Sequence, residues 1–353
     1  VRIDGRPEPF PRTTPEAPDL QWLMATMAEE GVTAVAMEVS SHGLDQHRVD
    51  GIRYSVAVFT TLTQDHLDYH PSMEEYFLAK SRLFTPVMSD RAVVNLDDER
   101  GRDLAGSGLP TITYGLAPES DVRATDVEST AEGIGFLADG VPIRSALRGS
   151  FNVENALAAF ATARSLGIED RVAADAISSV RVVPGRVEAV EVGQGFLVLV
   201  DYAHTPDSVE NVLRAARSLT DGRLIVVLGA GGDRDRVKRP LMGRAATANA
   251  DLAVITSDNP RSEDPLEIIA EITPGAERGS DERGGRFVVQ PDRRAAIRLA
   301  LEEASPGDVV VIAGKGHETY QELADRRIPF DDRAVAEDEL RSIGKATPIG
   351  TAP

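Results

Sequence analysis

Apolar residues along this chain gather into short uninterrupted runs, each released into a polar or glycine-rich turn. Such runs occur at Thr33 to Val39, Val56 to Thr60, Ala92 to Leu96, Phe196 to Val200, Leu224 to Leu228, Leu252 to Thr256 and Val309 to Ala313. Runs without polar alternation predict strands covered on both faces, as in a parallel sheet. Helical spacing fills the gaps. Leu20, Leu23, Met24 and Met27 mark a helix that stops at Gly31. Ser72-Met73-Glu74-Glu75 has the form of a capping box, starting a helix with Tyr76, Lys80 and Phe84 on one side. An alanine-rich helix opens at Phe151-Asn152-Val153, and another starts at Pro240, a first-turn proline whose missing N–H costs nothing. From Gly106 to Leu147 the pattern turns short and β-like.

The expectation is therefore an α/β chain of two domains. Residues 1–183 form a mostly parallel sheet with helices and a small β excursion, and residues 184–353 form a second, strand-rich α/β domain. Pro184-Gly185-Arg186 reads as the joint, and the tail past Pro348 as frayed. Within the second part, Leu224 to Leu228, the following helix and Leu252 to Thr256 make a βαβ unit. The right-handed crossover then puts both strand ends on one sheet edge, where ligands of such sheets bind. Four strands end there in chemically loaded loops: Asp201-Tyr202-Ala203-His204-Thr205-Pro206-Asp207, Gly229 to Arg239, Ser257-Asp258-Asn259-Pro260-Arg261 and Gly314-Lys315-Gly316-His317-Glu318. Turn-forming glycines and solvated charges explain any one loop, but not all four together.

A formal charge of −19 disfavours nucleic acid and anionic membrane as partners. An anionic substrate then needs a local basic cluster, and the loop from Arg234 to Arg239 is expected to supply it. With no cysteine there is neither a disulfide nor a thiolate metal site. No apolar run is long enough to span a membrane, and no signal peptide is evident.

Glu38 and His66 lie near the ends of apolar runs, and a carboxylate with an imidazole suits Mg²⁺, which keeps several waters. The plain alternatives are that Glu38 pairs with an arginine and His66 caps the next helix. Lys80 stands among Tyr76, Phe77, Leu83 and Phe84, which points to partial burial, and a buried lysine shifts its pKa or is modified. Gly229-Ala230-Gly231-Gly232 imitates a dinucleotide turn, but Arg234 stands where the third glycine belongs. No G-x-x-x-x-G-K-[ST] phosphate loop occurs.

Taken in order, Glu-Val-Ser-Ser-His-Gly, Asp-His-Leu-Asp-Tyr-His, Asp-Tyr-Ala-His-Thr-Pro-Asp, Gly-Gly-Asp-Arg-Asp, Asp-Asn-Pro-Arg and Gly-Lys-Gly-His-Glu resemble the motifs of the Mur ligases, ATP-dependent amide ligases of peptidoglycan synthesis. The resemblance runs from Thr13 to about Asp332. It implies a central ligase domain lacking its phosphate loop, followed by a C-terminal Rossmann-like, amino-acid-binding domain. On that reading the chain, which begins at Val1, is an N-terminally truncated part of a three-domain enzyme and alone has no turnover. The resemblance is to the branch that joins meso-diaminopimelate to UDP-MurNAc-L-Ala-D-Glu, and it implies a monomer in the cytoplasm.

It assigns Thr13, Thr14, Ser40, Gln46 and Arg48 to the UDP-MurNAc-dipeptide, and Glu38, His66 and a carbamylated Lys80 to Mg²⁺. Asn155, Arg186 and Asp201 fall to ATP, and carbamylated Lys80 and His204 to catalysis. Arg234, Asp258, Asn259, Pro260, Arg261, Gly314 and Glu318 fall to diaminopimelate, with Arg261 reading its far carboxylate and Glu318 its ammonium. Two other readings stay open here: a non-catalytic module that binds the amino acid, and an NAD-dependent dehydrogenase, against which the broken glycine motif counts.

Overall fold

A computed structural model describes residues 1–3, 5–7, 10 and 12–345, so the tail past Pro348 lies outside the described residues. The chain forms two compact units. The first comprises Val1–Leu62, Tyr69–Arg123 and Leu157–Ala173; the second comprises Thr63–Asp68, Ala124–Ala156 and Ala174–Pro353.

The first unit begins with a two-residue hairpin, β1 (Arg2–Ile3) and β2 (Arg6–Pro7), and then α1 (Ala17–Glu29). A short helix, α2 (Ser41–Asp45), follows. Three strands lie parallel: β3 (Ala57–Phe59), β4 (Ala92–Asn95) and β5 (Thr111–Gly115). Between them run α3 (Met73–Ser81) and α4 (Glu99–Ala105). Phe59, Phe77, Phe84, Val94 and Leu104 close the core of this sheet. Both helices are capped by their sequence: Ser72 accepts from the Glu75 amide, and Asp98 accepts from the amides of Arg100 and Gly101. The Asp98 carboxylate also accepts from the Thr61 hydroxyl at 2.8 Å, which ties the end of β3 to the start of α4.

Three expectations are corrected in this unit. The run Thr33 to Val39 is not a buried strand: it has no ladder partner among the described residues, and Ala34, Val35 and Ala36 are exposed. An apolar run becomes a strand only where a neighbour pairs its backbone; here it instead lines a groove of about 340 Å³ with Leu20, Leu23 and Met27 of α1. The expected polar loop after it contains α2, because the Ser40 hydroxyl caps it by accepting from the Gly43 amide. Phe84 lies past the end of α3, in a turn of 3₁₀ helix over Arg82–Phe84.

In the second unit, most of β6 (Val122–Thr130) pairs antiparallel with β7 (Gly133–Ala138), which pairs with β8 (Val141–Ser145). The helices α5 (Phe151–Ser165) and α6 (Asp170–Ser179) each run through a unit boundary. The main sheet collects β9 (Glu188–Ala189), β10 (Leu197–Asp201), β11 (Leu224–Leu228), β12 (Leu252–Ile255), β13 (Arg286–Val289) and β14 (Val309–Ala313). Its order is β13-β12-β11-β14-β10-β9, parallel except for β9.

Residues of β11 alternate between the two faces. Leu224, Val226 and Leu228 join one core, with residues of α7 (Pro206–Arg217), α8 (Lys238–Asn249) and α9 (Pro265–Arg283). Ile225 and Val227 join the other, with residues of α10 (Arg293–Glu303) and α11 (Asp332–Ser342). A small hairpin, β15 (Tyr320–Glu322) and β16 (Arg327–Pro329), follows β14. Because β10, β11, β12 and β14 are parallel, all four loaded loops leave from one edge. The helix expected from Pro240 starts at Lys238, which places the proline in its first turn.

Candidate functional site

In the first unit the residues assigned to the nucleotide-linked dipeptide converge on Thr14, which is 1% exposed. Its hydroxyl donates to the Glu38 carbonyl at 3.1 Å and accepts from the Ser40 amide at 2.9 Å. Its own carbonyl accepts from Arg48 Nη1 at 3.1 Å. Arg48 is buried and also reaches Gln46 Oε1. Gln46 in turn donates to the Tyr69 hydroxyl, which donates to Asp45 at 2.6 Å. Thr13 remains exposed beside this cluster. The Glu38 side chain makes no hydrogen bond or ion pair among the described residues, so its pairing with an arginine is not seen. Lys80 is half-buried, its Nζ 5.3 Å from the centre of the Tyr76 ring. The segment's aromatic neighbours announced that burial.

Around Asp65 the second unit builds a charge cluster that the sequence alone did not single out. Asp65 takes Lys238 Nζ at 3.2 Å, and His66 Nε2 and His204 Nε2 each at 3.7 Å. Burial by itself would raise the Asp65 carboxyl; His204, Lys238 and His66 together outweigh it and hold the group far below the usual carboxylate range. His66 sits at a left-handed φ of 57° with its amide on Asp65 Oδ1. It does not cap the next helix, since Ser72 does. His204 stands between the end of β10 and a capping box of Thr205 and Ser208 at the start of α7. Its Nδ1 lies 2.7 Å from the Tyr202 carbonyl; a carbonyl only accepts, so Nδ1 carries the proton.

The loop from Asp233 to Arg239 turns out to be largely neutralised from within, which corrects the expectation of an open basic cluster. Arg239 is fully buried and forks onto Glu263 at 2.7 and 2.8 Å and onto Glu271 at 2.8 Å. Arg236 pairs with Glu271, and Lys238 is taken by Asp65. Bonding to Arg239 is the main reason the Glu263 carboxyl falls to about 2. Of the four cations, only Arg234 has no carboxylate partner among the described residues; it is exposed and donates to the Asp233 carbonyl at 2.8 Å. Sequence spacing puts these charges together, but says nothing of the acids, Asp65, Glu263 and Glu271, that consume them.

At the neighbouring strand ends the assigned amino-acid residues do meet. Asn259 donates from Nδ2 to Glu318 Oε2 at 2.7 Å, while its Oδ1 accepts from Lys315 Nζ and from the Glu322 amide, each at 2.9 Å. Lys315 also reaches Glu318 Oε2 at 3.0 Å and is 0% exposed. Arg261, at φ 51°, bonds Glu322 through Nε at 3.0 Å and the Gly232 carbonyl through Nη1 at 2.7 Å. These bonds make Arg261 an internal brace of its own loop.

Asp258 is buried, accepts from the Asn259 amide, and has Arg293 at 3.8 Å. Gly314 is at φ 118°, and a Cβ there would meet Asp258 Oδ2 at 2.4 Å, so only glycine lets the loops close. The Pro260 carbonyl accepts from the Glu263 amide at 3.0 Å. Arg293, also unflagged by sequence, is fully buried: it pairs with Asp332 at 2.7 Å and donates to the Ser257 and Ala313 carbonyls at 3.2 and 3.0 Å. It clamps the ends of β12 and β14.

The residues assigned to ATP are spread within this unit. Asn155 is exposed and bonds Asn152 at 3.0 Å. The Arg186 guanidinium lies 4.9 Å from the centre of the Tyr202 ring. Asp201 is buried, and burial pushes its carboxyl up. Both of its oxygens already accept backbone amides, from Val187 at 2.9 Å and Ala203 at 2.7 Å. The first of these holds Val187 at φ 46°, a strained value for a β-branched residue. Among the described residues no three His, Asp or Glu side chains group as a metal cage, and no helix is long and apolar enough to cross a membrane.

A parallel sheet with these loops at its carboxyl edge defines an α/β enzyme class, and family profiles narrow it. Residues 3–163 match the Mur ligase middle domain, and residues 185–316 match the Mur ligase glutamate ligase domain. The chain belongs to the Mur ligase family, ATP-dependent ligases of peptidoglycan synthesis.

Among individual proteins, it is 51% identical over 338 residues to the UDP-N-acetylmuramoyl-L-alanyl-D-glutamate--2,6-diaminopimelate ligase of Streptomyces avermitilis, covering 94% of this chain and 67% of that one. The ligase of the same name from Geobacillus thermodenitrificans is 50% identical, with 95% and 70% covered. A solved structure titled as this ligase superimposes with a TM-score of 0.63 at 38% identity, over 96% of this chain and 70% of the other. A folylpolyglutamate synthase from Mycobacterium tuberculosis, at 19% identity and a TM-score of 0.64 over 94% of this chain and 73% of that one, shares the fold.

Proposed function

We propose that this chain provides the ligase and amino-acid-binding parts, residues 1–183 and 184–353, of an enzyme that joins meso-diaminopimelate to UDP-MurNAc-L-Ala-D-Glu in the cytoplasm. The names of its relatives support this substrate pair. The observation that carries it is the edge where Asn259, Arg261, Lys315 and Glu318 meet. Diaminopimelate has a second amino-acid head, an ammonium and a carboxylate. Glu318 offers an anion for the first and Arg261 a guanidinium for the second. Arg234 is a further exposed cation for that carboxylate.

In the proposed reaction a carboxylate oxygen of the dipeptide attacks the γ-phosphorus of ATP, giving an acyl phosphate and ADP. The amine of diaminopimelate then attacks the carbonyl carbon, phosphate leaves, the nitrogen loses a proton, and an amide remains. Thr13, Thr14, Ser40, Gln46 and Arg48 position the dipeptide, and Asn155, Arg186 and Asp201 contact ATP. His204 presents Nε2 beside Asp65 as the side chain for proton or charge handling.

Mg²⁺ fits the donor chemistry of Glu38, whose carboxylate is uncommitted among the described residues, and of His66. Lys80 would offer a further carboxylate once carbamylated, a change that its half-buried, aromatic-flanked position favours. When bound, the ion neutralises charge on the phosphoryl oxygens.

The test is kcat/KM for diaminopimelate and for lysine, with wild type and Arg261→Ala, in the ligase that carries this chain with a phosphate loop. Loss of one charge-assisted contact costs about 1.5–3 kcal/mol, roughly ten- to more than hundredfold. That loss is expected for diaminopimelate and not for lysine, which lacks the far carboxylate. Equal losses would make Arg261 only a brace through Glu322 and Gly232, and would leave the amino acid unassigned.

A further inference from the structure

Lys315 is an ammonium with no exposed surface, and a buried cation is costly unless every proton finds a partner. Its two hydrogen-bond partners are Asn259 Oδ1 and Glu318 Oε2, both on residues of the proposed amino-acid pocket. We propose that Lys315 is a positioning residue that fixes which way the Asn259 amide faces, so that the pocket reads a zwitterionic amino-acid head. The proposal rests on the diaminopimelate reading above.

The donors and acceptors decide the orientation. Asn259 Oδ1 accepts twice, from Lys315 Nζ and from the Glu322 amide, which uses both its lone pairs. An inverted amide would turn an NH₂ toward these two donors and lose both bonds. Held this way, Nδ2 spends one N–H on Glu318 Oε2 at 2.7 Å and keeps a second N–H unspent among the described residues. Both side-chain bonds of Glu318 fall on Oε2, which leaves Oε1 as an unspent acceptor among the described residues. Adjacent residues therefore keep one donor and one carboxylate oxygen in reserve. That pair complements a carboxylate and an ammonium on one carbon. The Glu322 amide and Glu318 Oε2 favour the same face, but among the described residues only Lys315 bonds both Asn259 Oδ1 and Glu318 Oε2, so it holds the two side chains in one arrangement. Lys315 thus acts on substrate through Asn259, without touching it.

The experiment measures KM for diaminopimelate, KM for ATP and kcat, with thermal unfolding alongside, in the ligase carrying Lys315→Met, Asn259→Ala or both. Lys315→Met is expected to raise the diaminopimelate KM tenfold or more, with KM for ATP and kcat within about threefold of wild type. In the Asn259→Ala background the same change is expected to add less than threefold, because residues that act in series are not additive. Lys315→Gln keeps an N–H donor without the charge and is expected to recover most of the lost affinity. Additive losses, an equal rise in the ATP KM, or failure of both Lys315 variants to fold would make Lys315 a structural brace and overturn the proposal. If wild type does not use diaminopimelate, the functional reading fails instead, which is a distinct result.

Discussion

The Thr14 cluster of the first unit and the Arg293–Lys315 region of the second both immobilise polar side chains, but with different bonds. The Thr14 side chain bonds the Glu38 carbonyl and the Ser40 amide with one neutral hydroxyl, and the buried Arg48 reaches only its backbone carbonyl. The second unit uses ions: Arg293 with Asp332, both fully out of water, and a fully buried Lys315 with a half-buried Glu318. A neutral bond exchanged for water contributes little net free energy, whereas a buried ion left alone is heavily penalised. The second edge is therefore expected to be the stiffer and the less forgiving of substitution.

The largest effect should follow from Arg293→Met, which strands Asp332 at 0% exposure. Unfolding in urea should report a loss of about 3–5 kcal/mol, and replacing both partners with apolar residues should recover much of it. A loss under about 1 kcal/mol would erase the contrast between the two regions. Thr14→Val keeps the shape but orphans the Ser40 amide and Glu38 carbonyl, so about 1–3 kcal/mol is expected from the same measurement. A cost equal to that of Arg293→Met would show that neutral and ionic braces are equivalent here.

Acid should expose a smaller effect at the charged loop, where solvent access weakens the pairing. Glu263 is depressed to about 2 when folded, against an ordinary value of 4.5, chiefly by its bonds from Arg239. A depressed carboxyl stabilises the fold above its unfolded pKa and loses that contribution as pH falls through the folded value. Stability should thus drop between pH 4.5 and about 2, and Glu263→Gln should flatten that limb in thermal unfolding against pH. An unchanged slope would mean Glu263 does not feel Arg239. The smallest effect belongs to Arg236→Ala: this exposed side chain pairs with Glu271 at the surface, where solvent screens the pair, so thermal unfolding should stay close to that of wild type.

Where strand and chemistry are both local, they were legible from residue order. Leu224 to Leu228 and Val309 to Ala313 begin and end where their apolar runs do, because a strand covered on both faces has no polar position to blur it. The loops after β12 and β14 carried Asn259, Arg261, Gly314 and Glu318, and parallel crossovers brought these to one edge. Thr33 to Val39 has the same apolar look but is no strand, since pairing depends on a neighbour that a run cannot specify for itself.

Tertiary structure alone decided which charges are spent. Arg234 and Arg239 look alike in one motif, yet one is exposed and the other fully buried between Glu263 and Glu271. Lys315 between two glycines gave no sign of its burial, and Arg293 none of its partner Asp332 in α11. Identity, spacing and apolar pattern are properties of the chain, so its order of residues determined the elements and the family. Whether an ion faces water or another ion depends on what distant segments pack against it, and only the folded structure settles that.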